Sequence, residues 1–121
     1  MAIQKILIVD DSETMTLFLS EVLEENGFNT SSAGNATEAW TKMQTERPDL
    51  VLLDVVMPGV NGFEFTRHLR RTPGFADLPI ILCSSKSMGS DQAWGLRQGA
   101  TGYITKPVDT QQLLSKIQAL A

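Results

Sequence analysis

The sequence predicts an α/β fold, a doubly wound parallel sheet of five strands, and three observations carry that prediction. Three apolar runs of four residues, Ile6-Leu7-Ile8-Val9, Leu50-Val51-Leu52-Leu53 and Ile80-Ile81-Leu82-Cys83, are followed at once by a polar residue: Asp10, Asp54 and Ser84. Too short for helices and without polar alternation, such runs suit strands buried on both faces of a parallel sheet. Amphipathic helical patterns lie between them, and the two patterns alternate five times along 121 residues with only short turns as connections. Right-handed crossovers then favour an open sheet with helices on both faces.

Each element has its own signal. After the first run, Ser12 is a candidate helix cap, and Met15, Phe18, Leu19 and Val22 fall at i, i+3, i+4 and i+7 before the stop signal Asn26-Gly27. Phe28 to Ser31 reads as a strand polar enough for a sheet edge. Asn35 precedes a second amphipathic repeat, Ala36, Ala39, Trp40 and Met43. Phe63 to Arg71 reads as the third helix. Asp91 to Gln98 reads as the fourth and the softest, because Gly95 costs about 1 kcal/mol against Ala in a helix interior. Gly102 to Thr105 forms the last strand, ending at Lys106-Pro107, and Leu113, Leu114, Ile117 and Leu120 give a closing helix after Asp109. Gly34-Asn35, Pro58-Gly59, Pro73-Gly74 and Gly99 supply the turns. Residues 1–121 read as one domain.

A chain of this length buries roughly two-thirds of its unfolded surface and needs no disulfide. Its one cysteine, Cys83, reads as a small buried hydrophobe. With 10 basic and 14 acidic side chains the formal charge is −4, which offers no basic field for nucleic acid. Apolar runs stop far short of the roughly 20 residues that span a bilayer, so no membrane insertion and a cytoplasmic location are expected. His68, on a helix with Arg67, Arg70 and Arg71, reads as solvated and not catalytic. Met57 is expected to pack in the loop after Asp54.

In doubly wound sheets, ligands sit beyond the carboxyl ends of the strands. Those ends carry Asp10 and Asp11, Asp54, Ser84 and Ser85, and Thr105 and Lys106. Taken singly, each has an ordinary reading: a helix cap, a turn residue, a solvated lysine. Their coincidence at strand ends that one architecture brings together is what points to a site. Two aspartates about 4 Å apart repel by about 4 kcal/mol at an effective dielectric near 20, so a cation belongs among them. Asp10, Asp11 and Asp54 offer only hard oxygens, which suits Mg²⁺ better than zinc. With Lys106 as a fixed positive charge and Ser84 as a hydroxyl donor, the set matches phosphoryl transfer to an aspartate.

Three stretches carry a resemblance: Ile8-Val9-Asp10-Asp11-Ser12, then Leu53-Asp54-Val55-Val56-Met57-Pro58-Gly59-Val60-Asn61-Gly62, and Gly99-Ala100-Thr101-Gly102-Tyr103-Ile104-Thr105-Lys106-Pro107. Together they are similar to the receiver domain of bacterial two-component response regulators, over essentially the whole chain. The resemblance implies a flavodoxin-like (βα)5 sheet in the order 2-1-3-4-5. It implies that Asp54 accepts phosphate from a sensor histidine kinase or its phosphotransfer domain, and that Asp11, Asp54 and the Val56 carbonyl bind Mg²⁺ directly while Asp10 acts through water. Ser84 would move onto the phosphate, Lys106 would pair with it, and Tyr103 would turn inward beneath the helix carrying Trp94, with Pro107 preceded by a cis bond. Downstream protein targets would bind the face of the fourth helix, fifth strand and fifth helix.

The pattern departs from the commonest one beside the site. Ser84 stands where Thr is more frequent and Ser85 where Ala is, while Val56 and Lys86 hold positions that tune hydrolysis of the acyl phosphate. Ser84-Ser85-Lys86 and Trp94 to Ala100 look similar to regulators of twitching or phototactic motility. A phosphate-independent pseudo-receiver scaffold is the rival reading, opposed by the intact Asp10, Asp11, Asp54, Ser84 and Lys106. An aspartyl phosphatase is opposed by Val56, which stands where a second carboxylate would serve as acid and base. The expectation is a switch that transfers phosphate only to and from itself and that works through protein–protein affinity.

Overall fold

The computed structural model describes residues 3–85 and 89–120. Strands and helices alternate as β1 (Lys5–Val9), α1 (Glu13–Glu25), β2 (Asn29–Ala33), α2 (Ala36–Thr45), β3 (Leu50–Asp54), α3 (Gly62–Arg70), β4 (Ile80–Ser84), α4 (Gly89–Arg97), β5 (Gly102–Thr105) and α5 (Thr110–Leu120). The strands are parallel and ordered β2-β1-β3-β4-β5, the doubly wound arrangement expected from the sequence.

Side-chain alternation along each strand divides the apolar residues between two layers. Ile6 and Ile8 of β1 and Leu50 and Leu52 of β3 face Leu19 and Leu23 of α1 and Leu113 and Ile117 of α5. Leu7 and Val9, with Val51 and Leu53, face the layer holding Ala39 and Met43 of α2, Phe65 and Leu69 of α3, and Tyr103 of β5. All five residues of β3 and of β4 are buried, which explains their unbroken apolar runs. Burying one such Leu or Ile side chain contributes roughly 2 kcal/mol, so the sheet centre is the most firmly held part of the fold.

Three elements move from their sequence-based positions, α3 by one residue, to Gly62–Arg70 from Phe63 to Arg71. β2 runs from Asn29 to Ala33 instead of from Phe28 to Ser31, because its register pairs Lys5 with Asn29 and Val9 with Ala33. Phe28 belongs to the turn, its N–H bonding the Leu23 carbonyl at 3.1 Å while Gly27 takes φ +90°. α4 begins at Gly89, earlier than Asp91, and ends at Arg97. Gly95 also has a reason beyond propensity. It is buried, and a Cβ there would lie 2.8 Å from Leu82 Cδ1 and 3.1 Å from Tyr103 Cδ2, so the missing side chain lets α4 approach the sheet. β2, polar as expected, lies at an edge of the sheet, where the Lys42 ammonium bonds the Ser32 carbonyl.

Candidate functional site

β1 and β3 are neighbours, so the residues at their carboxyl ends meet. Asp10 follows β1 directly. Its N–H bonds the Ala33 carbonyl at 3.0 Å and its Oδ1 accepts the Ser12 N–H at 2.9 Å, which turns the chain into α1. Ser12 caps that helix, its Oγ accepting the Met15 N–H at 3.2 Å. Asp54 closes β3, and its carboxylate accepts the N–H of Val56. One oxygen from each of Asp10, Asp11 and Asp54 lies within 4.8 Å of the other two. Asp10 and Asp54 are buried, whereas Asp11 faces solvent.

The other side of the cluster comes from β4 and β5. Lys106 Nζ lies 2.9 Å from Asp10 Oδ2 and 3.3 Å from Asp54 Oδ1. The Lys106 N–H donates to the Ser84 carbonyl at 2.7 Å, and the Lys106–Pro107 bond is cis. Ser84, the last residue of β4, is buried and aligned with Thr105. Its side chain shares a hydrogen bond with Tyr103, which is itself buried. Trp94 is half-exposed on α4.

Burial, and then the neighbouring Asp10 charge, push the Asp54 carboxyl above the ordinary carboxylate range, and Lys106 and the Val56 N–H only partly reverse this. Burial works against the Lys106 ammonium, but Asp10 and Asp54 outweigh it and raise its pKa, so Lys106 stays charged at neutral pH. Burial likewise raises the Tyr103 phenol. Cys83, opposite Asp54 in the sheet register, is buried and pushed up to about 12, which keeps it a neutral hydrophobe as expected.

Three carboxylates against one ammonium leave the cluster with excess negative charge. Its donors are all hard oxygens, and among the described residues it includes neither His nor Cys, so the donor set fits a divalent cation such as Mg²⁺ better than zinc. Val56 is exposed in the loop that follows Asp54, while Met57 packs into the core there, as expected. His68 is exposed but rests edge-on against Trp40, with ring centroids 5.1 Å apart. Lys86, expected to tune hydrolysis, lies outside the described residues.

Two supports of the site were missed in the sequence. Asn61 and Glu64 form a reciprocal capping box at the start of α3, for which the Asn-x-x-Glu spacing was a readable signal. Behind Asp54, Gly62 is buried and its N–H bonds the Val55 carbonyl at 2.9 Å. A Cβ on Gly62 would collide with the Asp54 carbonyl oxygen. That requirement depends on how the loop folds back, which no local pattern states.

A buried acid at the end of a central strand, an acid pair beside it and a lysine bridging the two, all on a 2-1-3-4-5 sheet, define a class of signalling protein. The chain belongs to the response regulator receiver domain family, whose model matches residues 6–118. It is similar to the protein PilH of Pseudomonas aeruginosa, 43% identical over 116 residues that cover 96% of both chains. It is also similar to the DNA-binding response regulator MtrA of Mycobacterium tuberculosis, 40% identical over 96% of this chain but only 50% of that protein. Among solved structures, the chemotaxis protein CheY4 of Vibrio cholerae superposes with a TM-score of 0.91 at 32% identity, covering 99% of this chain and 100% of the other. No described helix is long and apolar enough to cross a membrane.

Proposed function

We propose that residues 1–121 act as one cytoplasmic receiver domain in which Asp54 accepts a phosphoryl group from a sensor histidine kinase or its phosphotransfer domain. The observation that carries this reading is the placement of Asp54: a buried carboxylate 3.3 Å from the Lys106 ammonium and within reach of Asp10 and Asp11. An Asp54 oxygen attacks the phosphorus, and the P–N bond of the phosphohistidine breaks. The electron pair stays with the imidazole nitrogen, which is protonated from solvent, and an acyl phosphate remains on Asp54. Mg²⁺, held by Asp11, Asp54 and the Val56 carbonyl and through water by Asp10, would neutralise the phosphoryl oxygens.

Lys106 pairs with a phosphoryl oxygen, taking over part of its contact with Asp54. Ser84 donates its hydroxyl to another, and so exchanges its bond to Tyr103 for one to phosphate. The consequence is felt where Tyr103 and Gly95 pack together, beneath the α4 surface that carries Trp94, and the α4–β5–α5 face binds its downstream protein target differently. Likeness to a chemotaxis protein supports a role in bacterial motility or taxis. The only chemistry is self-phosphorylation and self-dephosphorylation.

Intact mass after incubation with acetyl phosphate and Mg²⁺ tests the reading. One phosphoryl mass is expected on the natural chain and none on Asp54→Asn or without Mg²⁺. An equal adduct on Asp54→Asn overturns the assignment.

A further inference from the structure

On the far side of the sheet from α1 and α5, α2 and α3 border a groove of about 430 Å³ that has no part in the phosphoryl chemistry. Its wall is aromatic. Trp40 of α2 lies edge-on to His68 at 5.1 Å and to Phe75 at 5.7 Å, and His68 stacks on Phe65 at 6.4 Å. Val60, which also lines the groove, is exposed.

Glu64, Arg67 and His68 line the groove, and arginines concentrate around it although the chain as a whole carries −4. Four of the five arginines, Arg47, Arg67, Arg70 and Arg71, fall between residues 47 and 71. Arg70 is taken up internally, its Nε bonding the Gly99 carbonyl at 2.8 Å and its guanidinium the Phe75 carbonyl at 3.1 Å. Glu64, Arg67, His68 and Arg71 follow at i, i+3, i+4 and i+7, one stripe along α3. Glu64 is held in the capping box at the far end of that stripe. Arg67 and Arg71 are exposed, and among the described residues neither forms an ion pair. Arg47 sits 5.8 Å above the Phe75 ring at the other end of the aromatic wall, but its guanidinium is engaged there by the Gly74 and Pro48 carbonyls.

We propose that this α2–α3 groove docks an acidic protein segment that carries a bulky apolar side chain. The apolar side chain would enter between Trp40 and Val60, a desolvated anchor of the kind that carries binding energy. Its flanking carboxylates would meet Arg67 and Arg71, steering encounter and fixing register. The net negative charge of the rest of the chain disfavours a nucleic-acid strand as occupant. Because Val60 lies in the loop that begins at Asp54, an occupant of the groove touches the same loop that borders the acid cluster.

The test follows the Trp40 indole and backbone amides by NMR as the full chain is titrated with three probes. These are a Glu/Ala-rich peptide with one central Leu-Phe pair, its Glu→Lys counterpart, and a thymidine oligonucleotide. The acidic peptide is expected to shift Trp40, His68 and Val60. Arg67→Glu with Arg71→Glu should weaken it about tenfold or more and raise affinity for the Lys peptide. Among the described residues neither side chain forms a hydrogen bond or ion pair that the substitution would remove, and a thermal melt of the double variant checks that the fold is kept. Absence of any shift, equal binding of both peptides, or tighter binding of the oligonucleotide overturns the proposal. So does a concentration-dependent rise in mass that the double variant abolishes, which would make a second copy of the chain the occupant.

Discussion

Gly62 and Gly95 both lie in helices packed against the sheet, yet a methyl group added to each would meet a different kind of obstacle. At Gly62 the nearest atoms are all backbone: the Asp54 carbonyl oxygen and carbon and the Val55 Cα. At Gly95 they are side-chain atoms, the Leu82 Cδ1 methyl and the ring atoms Tyr103 Cδ2 and Phe63 Cε1. The Asp54 side, β3 to α3, is held by main chain against main chain, reinforced by the Asn61–Glu64 capping box. The β4–α4–β5 side is held by side chains that can repack, with the Ser84–Tyr103 hydrogen bond among them. Under the function proposed above, the acceptor must stay in place while a neighbouring face answers it, and the two kinds of contact would divide that work.

The largest expected effect is that of Gly62→Ala. Backbone cannot rotate aside as a side chain can, so the β3–α3 loop must shift, at a cost of about 2–3 kcal/mol. Urea unfolding measures it directly, and phosphorylation of Asp54 should slow in the same variant because the displaced segment carries Val55 and Val56. A loss below about 1 kcal/mol would mean that the junction is softer than its packing indicates.

A smaller effect separates the charges from the packing. Asp54 has its pKa raised in the folded chain, so the folded state holds that proton more tightly than the unfolded state does. Stability from this group therefore falls as pH rises from the ordinary carboxylate range through the raised folded value. Asp54→Asn removes the penalty and leaves Lys106 its 2.9 Å partner Asp10. The variant should gain on the order of 1 kcal/mol at neutral pH, the repulsion between neighbouring carboxylates less what Lys106 returns. The gain should shrink as the pH is lowered to where unfolded carboxylates protonate. Melts of both proteins across that range check the sign, and a less stable Asp54→Asn protein at neutral pH would show that the Lys106 pairing dominates.

Much of this division was legible in the sequence, and the illegible part has a common physical cause. The unbroken apolar runs predict buried parallel strands, and the alternation with helices predicts the winding, because both depend on residues near one another in the chain. Asp10, Asp54, Ser84 and Lys106 could be assigned to one end of the sheet for the same reason, since each directly follows a strand or ends it. What the sequence did not state are contacts across elements: Gly62 against Asp54, Gly95 against Leu82 and Tyr103, and Arg70 reaching the Gly99 and Phe75 carbonyls. Gly95 is instructive because its local signal states only a poor helix propensity, while the close approach to Leu82 and Tyr103 that the missing side chain permits lies across elements. Phe28 misled in a similar way. Its β propensity placed it in the strand, but the carbonyl of Leu23 claims its N–H for the turn.

The smallest expected effect is that of Gly95→Ala, and it is the sharpest test of the contrast. The substitution gains about 1 kcal/mol of helix propensity in α4. Against this stands a Cβ 2.8 Å from Leu82 Cδ1, closer than any ordinary contact, in a core where overpacking costs about 1–3 kcal/mol. Leu82 is buried, but its methyl group is the end of a rotatable side chain and Tyr103 lies next to it, so the strain can be relieved by moving those two residues without moving the backbone. The net change in unfolding free energy should therefore stay within about 1 kcal/mol of zero, well short of the Gly62→Ala loss. The displacement should instead appear locally, as a changed Tyr103 ring environment and altered amide exchange in α4, with Asp10, Asp54 and their hydrogen bonds undisturbed. If Gly95→Ala destabilises as much as Gly62→Ala, both faces are equally rigid, and the route from Ser84 to the α4 surface cannot lie through the packing of Tyr103.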